Sequence, residues 1–149
     1  MTETILRAAK EPDLPEVLNL YRHLHPHAPP LAPATAARAW RALLTSGVTT
    51  VIVAQVADRL LSSCTLAIVP NLSRGGRSYG VIENVVTHAD HRRQGLGRRV
   101  LAHALDLAWA ADCYKVHLAT GSQRETTLRF YESAGFQRGR KTYFEIRRP

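Results

Sequence analysis

Phosphate-binding chemistry is concentrated in one stretch of this 149-residue sequence: Glu83-Asn84-Val85-Val86-Thr87, then His88-Ala89-Asp90-His91, then Arg92-Arg93-Gln94-Gly95-Leu96-Gly97. The first segment reads as a strand. The last opens an amphipathic helix, because Leu96, Val100, Leu101, Ala104, Leu105 and Ala108 fall on one helical face. A helix N-terminus leaves its first amides without internal partners, and their N–H groups together with the helix dipole attract a phosphate. Gly95 and Gly97 let the backbone approach such a ligand, and Arg92, Arg93, Arg98 and Arg99 surround it with positive charge. The plain alternative is an ordinary glycine-containing turn beside a solvated basic helix face, and a lone Gly-x-Gly does not separate the two.

Other reactive types are less organised. His23-x-His25-x-His27 lies in a segment with four prolines, and no carboxylate or thiol at ligand spacing accompanies it, so no metal is expected. His88, His91, His103 and His117 read as solvated or satisfied side chains. Cys64 and Cys113 both sit in apolar stretches and read as small buried hydrophobes, which fits a reducing, cytoplasmic setting. Asn71-Leu72-Ser73 has the form of a glycosylation sequon, but nothing at the N-terminus resembles an export signal or a membrane span, so it reads as loop.

The elements that must position these groups follow from periodicity and breakers. Residues 5–9 read as a strand, and Pro12-Asp13 opens a helix with Leu14, Val17, Leu18 and Tyr21 on one face. The proline-rich stretch 25–33 is loop, and residues 34–44 are helix stopped by Gly47. Residues 49–57 and 60–69 read as a hairpin around Asp58-Arg59, followed by a basic glycine-rich loop over 70–77 and a strand over 78–87. After the helix ending near Ala111 come a strand over 115–120, a helix over 124–134 closed by Gly135, and a last strand over 141–147.

Length and composition agree with one mixed α/β domain spanning 1–149. The chain is 45% apolar and 21% charged, and one this long buries roughly 68–70% of its unfolded surface without needing disulfides or metal. Disorder and disulfide scaffolds are disfavoured. The net charge of +8 favours anionic partners, which include nucleic acid, a membrane surface and a phosphorylated small molecule.

In this context Arg92-x-x-Gly95-x-Gly97, after a strand carrying Glu83, resembles the acyl-CoA signature of the Gcn5-related N-acetyltransferases (GNAT). The resemblance continues at Leu128-Arg129-Phe130-Tyr131-Glu132-Ser133-Ala134-Gly135-Phe136, similar to the family's aromatic pair followed by Gly-Phe. With the order of elements it covers most of the chain, most sharply residues 79–136. It implies a mixed, mainly antiparallel sheet of about six or seven strands flanked by about four helices, splayed between the strands at 79–87 and 115–120. Acetyl-CoA is the implied cofactor. Its pyrophosphate would rest on the amides of Arg92, Arg93, Gln94, Gly95, Leu96 and Gly97, with Arg98 nearby, and its pantetheine would pair with Val85, Val86 and Thr87 as an added strand. Part of the charge excess is then explained without nucleic acid or membrane.

The resemblance also assigns roles. Glu83 would take the ammonium proton directly or through water, against the alternative of a surface strand residue or a partner of an arginine. Tyr131 would protonate the departing sulfur, against the alternative of a core aromatic. An amide near Val85 or Val86 would hold the developing oxyanion. Where the family often has a cofactor-contacting Asn, this chain has Arg124, which either reaches a CoA phosphate or faces solvent. The acceptor is expected to be a small-molecule amine bound between the proline-rich loop and Asn71, Arg74 and Arg77, with the arginines suiting a carboxylate or phosphonate. A non-catalytic acyl-CoA sensor and a protein or peptide acetyltransferase are the rival readings. A homodimer is expected on the same grounds, since similar enzymes are often dimers.

Overall fold

The β-branched runs on either side of Ala57-Asp58 fold as a hairpin, β2 (Thr49–Val56) and β3 (Arg59–Val69), with Ala57 at φ 52° where the chain reverses. In the computed structural model, which describes residues 2–149, β1 (Thr4–Ala8) adds antiparallel to β2 and β4 (Tyr79–Thr87) antiparallel to β3. β5 (Val116–His117) pairs parallel with β4, giving the order β1-β2-β3-β4-β5.

Both faces of the sheet are covered. Ile52, Cys64, Leu66 and Ile82 point toward α4 (Leu96–Ala110), which buries Val100, Leu101, Ala104 and Ala108 against them. Val51, Val53, Leu60 and Val86 point the other way, beneath Val17 and Leu20 of α1 (Leu14–Leu24) and Trp40 of α2 (Pro33–Thr45). Each fully buried aliphatic side chain stabilises the sandwich by about 1.5–3 kcal/mol. The entry to α1 is fixed by Asp13, which accepts both Arg7 guanidinium donors, at 2.7 and 3.0 Å, and the Lys10 amide at 2.7 Å.

Three expectations need correction. The strand expected over 115–120 is only two residues long, and residues 141–147 form no strand, so among the described residues the sheet has five strands rather than six or seven. A β-rich pattern supplies propensity but not a pairing edge, and two residues of β5 offer almost none. The loop at 70–77 contains a single irregular turn, α3 (Ser73–Gly76), in which Arg74 and Gly75 are left-handed, so with α5 (Glu125–Ser133) the described residues hold five α-helices rather than about four.

Candidate functional site

The site begins with a failure of pairing. β4 and β5 are in register only at Gly80↔Val116 and Val81↔His117, so from Ile82 onward that side of β4 lacks a strand neighbour. On its other side β4 is bulged: Ser63 faces Val86 and Thr65 faces Glu83, leaving Asn84 and Val85 opposite Cys64 alone. Asn84 absorbs the extra residue at φ 53°, a left-handed conformation that Asn tolerates better than most residues. The bulge turns Val85 toward the α4 side and Val86 toward the α1 side. It thereby breaks the ladder where amides would have to face a reacting carbonyl.

Past Thr87 a 3-10 turn, Ala89–His91, leads into the loop that caps α4. Arg93 sits at φ 62° and Gly95 at φ 81°, and these two residues curl the chain so that it enters α4 at Leu96. Arg93, Gln94, Gly95 and Arg98 are exposed, whereas Leu96 and Gly97 are buried. The Arg92 guanidinium has a structural engagement: Nε donates to the Thr87 carbonyl at 3.2 Å and a terminal nitrogen to the His23 carbonyl at 3.3 Å. It ties the end of α1 to the end of β4. The Thr87 hydroxyl in turn bonds Ser62 at 2.9 Å.

α5 closes the α4 side of the gap. Phe130 and Tyr131 pack partly buried against the main core, with ring centroids 5.0 Å apart, and Phe136 meets Tyr131 edge-on at 6.4 Å. Burial pushes the Tyr131 phenol above its ordinary value, with Cys64 and Glu83 adding to the rise. Cys64 itself is pushed up to about 12 by burial, which leaves it a thiol rather than a nucleophile at neutral pH. Arg124 stands exposed at the N-terminal end of α5.

Glu83 is exposed at the gap, and none of the ion pairs among the described residues engages it. The residues expected to line the acceptor side are partly committed elsewhere. Asn71 donates to Ser73 and to the Arg77 carbonyl and so holds its own loop, while Arg77 pairs with Asp112 at 3.0 Å. Arg74 lies over the Tyr114 ring at 5.8 Å. Sequence reasoning missed Lys115 and His117. Lys115 Nζ lies 5.7 Å from the Tyr79 ring centroid and 5.6 Å from that of Tyr114, and His117 stacks on Tyr79 at 5.9 Å. Burial lowers the His117 pKa, Lys115 and Lys141 lower it further, and Glu83 opposes them. In the sequence only Tyr114 adjoins Lys115; the second aromatic partner, Tyr79, comes from β4 and gave no local signal.

His23, His88 and His91 also gather beside Arg59, with the ring centroids of His23 and His88 4.2 Å apart and those of His88 and His91 5.3 Å apart. His23 accepts the Ala89 amide at 3.3 Å, and burial together with His23 and Arg59 lowers the His88 pKa. Among the described residues no group of three His, Cys, Asp or Glu side chains is arranged to hold a metal ion. No helix among them is long and apolar enough to cross a membrane.

A mixed sheet that parts between β4 and β5, with a basic loop leading into α4 at one side and a partly buried tyrosine and an exposed carboxylate near the gap, is a layout that suits an acyltransferase. The family model described as "Acetyltransferase (GNAT) family" matches residues 14–136, and the chain belongs to that family. It is 36% identical over 133 residues to the glucosamine 6-phosphate N-acetyltransferase of Trypanosoma brucei brucei, a match covering 89% of this chain and 88% of that protein. A solved structure from Agrobacterium tumefaciens str. C58 is 44% identical, with TM-score 0.93 over 97% of this chain and 99% of that one. A Trypanosoma brucei acetyltransferase structure is 33% identical, with TM-score 0.80 over 97% of this chain and 100% of the other. The protein is therefore an acetyl-CoA-dependent N-acetyltransferase acting on a small-molecule amine.

Proposed function

We propose that the acceptor is a phosphorylated amino sugar of the glucosamine 6-phosphate class. The observation that carries this reading is the nearly end-to-end match to the trypanosomal enzyme, whose name states that substrate. Lys115 and Arg74, held against Tyr79 and Tyr114 on the acceptor side, suit a phosphate dianion, and Asn71 and Arg77 shape the loop that carries Arg74.

Acetyl-CoA brings the thioester. The amides of Arg92, Arg93, Gln94, Gly95, Leu96 and Gly97, with the exposed Arg93 and Arg98 side chains, would receive its phosphates, and Arg124 lies exposed at the adjoining end of α5. The unpaired side of β4 at Val85, Val86 and Thr87 accepts an extended chain as an added strand. An amide at the bulge, near Val85 or Val86, would donate to the carbonyl oxygen as charge builds there. Glu83 takes the proton of the acceptor ammonium, and Tyr131 Oη holds the proton that the departing sulfur needs. The raised Tyr131 pKa supports this assignment, because it keeps the phenol protonated.

The working unit in this reading is one cytoplasmic domain, residues 1–149, that pairs with a second copy. The free, buried Cys64 and Cys113 support a reducing compartment. The dimer is supported by the tail: Tyr143, Phe144 and Ile146 are 66%, 86% and 97% exposed on a segment that forms no strand and joins no sheet among the described residues. Large apolar side chains left in water at that level mark an interface. Sedimentation should report a dimer, and Phe144→Asp with Ile146→Asp a monomer.

Acetyl-CoA turnover measured by thiol release tests the acceptor, using glucosamine 6-phosphate, glucosamine and a lysine peptide, with glucose 6-phosphate as a non-amine control. The phosphorylated amino sugar should exceed glucosamine in kcat/KM by about 100-fold, the size of a charge-assisted phosphate contact. Equal rates with and without the phosphate would remove it from the reading.

A further inference from the structure

We propose that Thr65 is a positioning residue for Glu83: its buried hydroxyl donates to the Glu83 carboxylate once the acceptor amine covers it, holding the base toward the ammonium. The proposal rests on the reading of Glu83 as the base.

The buried part of the sheet face beneath α1 is apolar apart from two residues of β3. Val51, Val53, Leu60 and Val86 line it, and between them Ser63 and Thr65 are 0% and 7% exposed. Among the described residues neither hydroxyl has a hydrogen-bond partner. A buried hydroxyl left unpaired is destabilising, whereas valine has the same shape, favours strands and already occupies neighbouring positions on this face. An orphan hydroxyl in such a place calls for a function.

Register separates the two. Ser63 lies between Val53 and Val86, so its surroundings are apolar. Thr65 lies between Val51 and Glu83, directly across the ladder from the carboxylate-bearing residue, where Cβ atoms of facing residues stand ~5 Å apart. The Tyr21 phenol of α1 also faces Thr65. Burial raises the Tyr21 pKa, and hydrogen bonding from the Thr65 hydroxyl opposes that rise, so the phenol is the one neighbour that competes for this donor, although the two do not meet in full hydrogen-bond geometry. Thr65 thus sits at the junction of α1, β3 and β4, one residue before the bulge in the β4 register.

The chemistry asks for such a donor. When the ammonium gives its proton to a Glu83 oxygen, the nitrogen lone pair is freed to attack, and Thr65 exchanges no proton. Its O–H occupies the other carboxylate oxygen and limits the rotamers of a side chain that is otherwise free at the gap. A hydrogen bond donated to the charged form of a carboxyl favours that form. Other groups with a bearing on Glu83 are His117 from β5, Tyr131 from α5 and Tyr143 from the tail, with Lys115 and Lys141 acting on His117, while Tyr21 from α1 faces Thr65. Thr65 differs from all of them in combining the facing ladder position with a buried hydroxyl that makes no hydrogen bond of full geometry.

The test is the pH dependence of kcat and of acceptor KM for Thr65→Val, Thr65→Ser, Ser63→Ala and Glu83→Gln, with thermal melting of each. Thr65→Val should lower kcat about 10-fold with KM within about twofold, and should move the acid limb to higher pH without lowering Tm. Thr65→Ser should recover most of the rate, and Ser63→Ala should match the wild type. A wild-type kcat and acid limb in Thr65→Val overturns the proposal. So does a fall in rate matched by a fall in Tm that serine does not rescue, because that pattern marks packing. If Glu83→Gln keeps the wild-type acid limb, the base assignment fails and takes the proposal with it. If Glu83→Gln abolishes the limb while Thr65→Val leaves it unmoved, the proposal alone fails.

Discussion

Gly97 of α4 packs directly against Phe130 of α5: a Cβ on Gly97 would stand 3.1 Å from Phe130 Cζ and 3.2 Å from Thr87 Oγ1. The two sequence hallmarks are therefore parts of one contact that joins the phosphate-loop helix, the end of β4 and the helix carrying Tyr131. Gly95, which caps α4, and Gly97, in its first turn, differ in what fixes them. Gly95 has open space around its missing side chain and is held by its left-handed φ, while Gly97 is held by the proximity of a neighbouring ring.

Gly97→Ala should destabilise the protein by about 1–3 kcal/mol, measured by urea denaturation. Helix propensity alone would give the opposite sign, a gain of about 1 kcal/mol, so the direction shows which effect wins. In a Phe130→Leu background the same substitution should cost clearly less. An equal cost in both backgrounds would mean that the ring is not what excludes the methyl.

Arg92 bridges two carbonyls, so its guanidinium geometry matters more than its charge. Arg92→Lys should weaken acetyl-CoA binding about as much as Arg92→Ala, roughly 10-fold by calorimetry, because an ammonium point charge cannot span both acceptors. Binding restored by lysine would show that the contribution is charge alone.

Most of this architecture was legible in the sequence because its signals are local. The hairpin around Asp58-Arg59, the apolar stripe of α4 and the breakers at Pro26 to Pro33 each identify an element without reference to anything distant. The tail misled because its alternation is real but pairing is a property of two segments, and β5 ends at His117. The bulge at Asn84 was invisible for the same reason: Asn84 and Val85 read as continuous strand until β3 is laid beside them. Lys115 and His117 were passed over because their aromatic neighbours Tyr79 and Tyr114 come together only through the β4–β5 contact.

Asp13 should govern the acid arm of stability. Arg7 first, then the Lys10 amide, hold its carboxyl below the usual range, and its side chain is only 14% exposed. A carboxyl whose pKa falls on folding contributes stability that is present above its unfolded value and lost as pH drops through the folded one. Wild type should therefore weaken progressively below about pH 4. Asp13→Asn should be less stable at neutral pH by about 1–2 kcal/mol and show a flatter acid arm in denaturation at graded pH. Parallel acid arms would assign the acid sensitivity elsewhere.

Tyr131 sets the alkaline limit. Burial raises its pKa above the ordinary phenol value, so the proton on Oη is retained throughout the neutral range and lost only above about pH 10. As a proton donor to sulfur it should give wild type an alkaline limb in kcat there, and Tyr131→Phe should remove that limb together with about 100-fold of the rate. Acetyl-CoA affinity should stay within about twofold, because the ring still fills its place against Phe130 and Phe136. The same raised pKa means that folding favours the neutral phenol, so stability present below pH 10 should decline as pH rises through the folded value, and should decline less in the Phe variant. Measuring kcat and melting temperature across pH 8 to 11 for both proteins separates the two roles. A phenylalanine variant with full kcat and an unchanged alkaline limb would leave Tyr131 as a packing residue and move the search for the proton donor to the other groups near the gap.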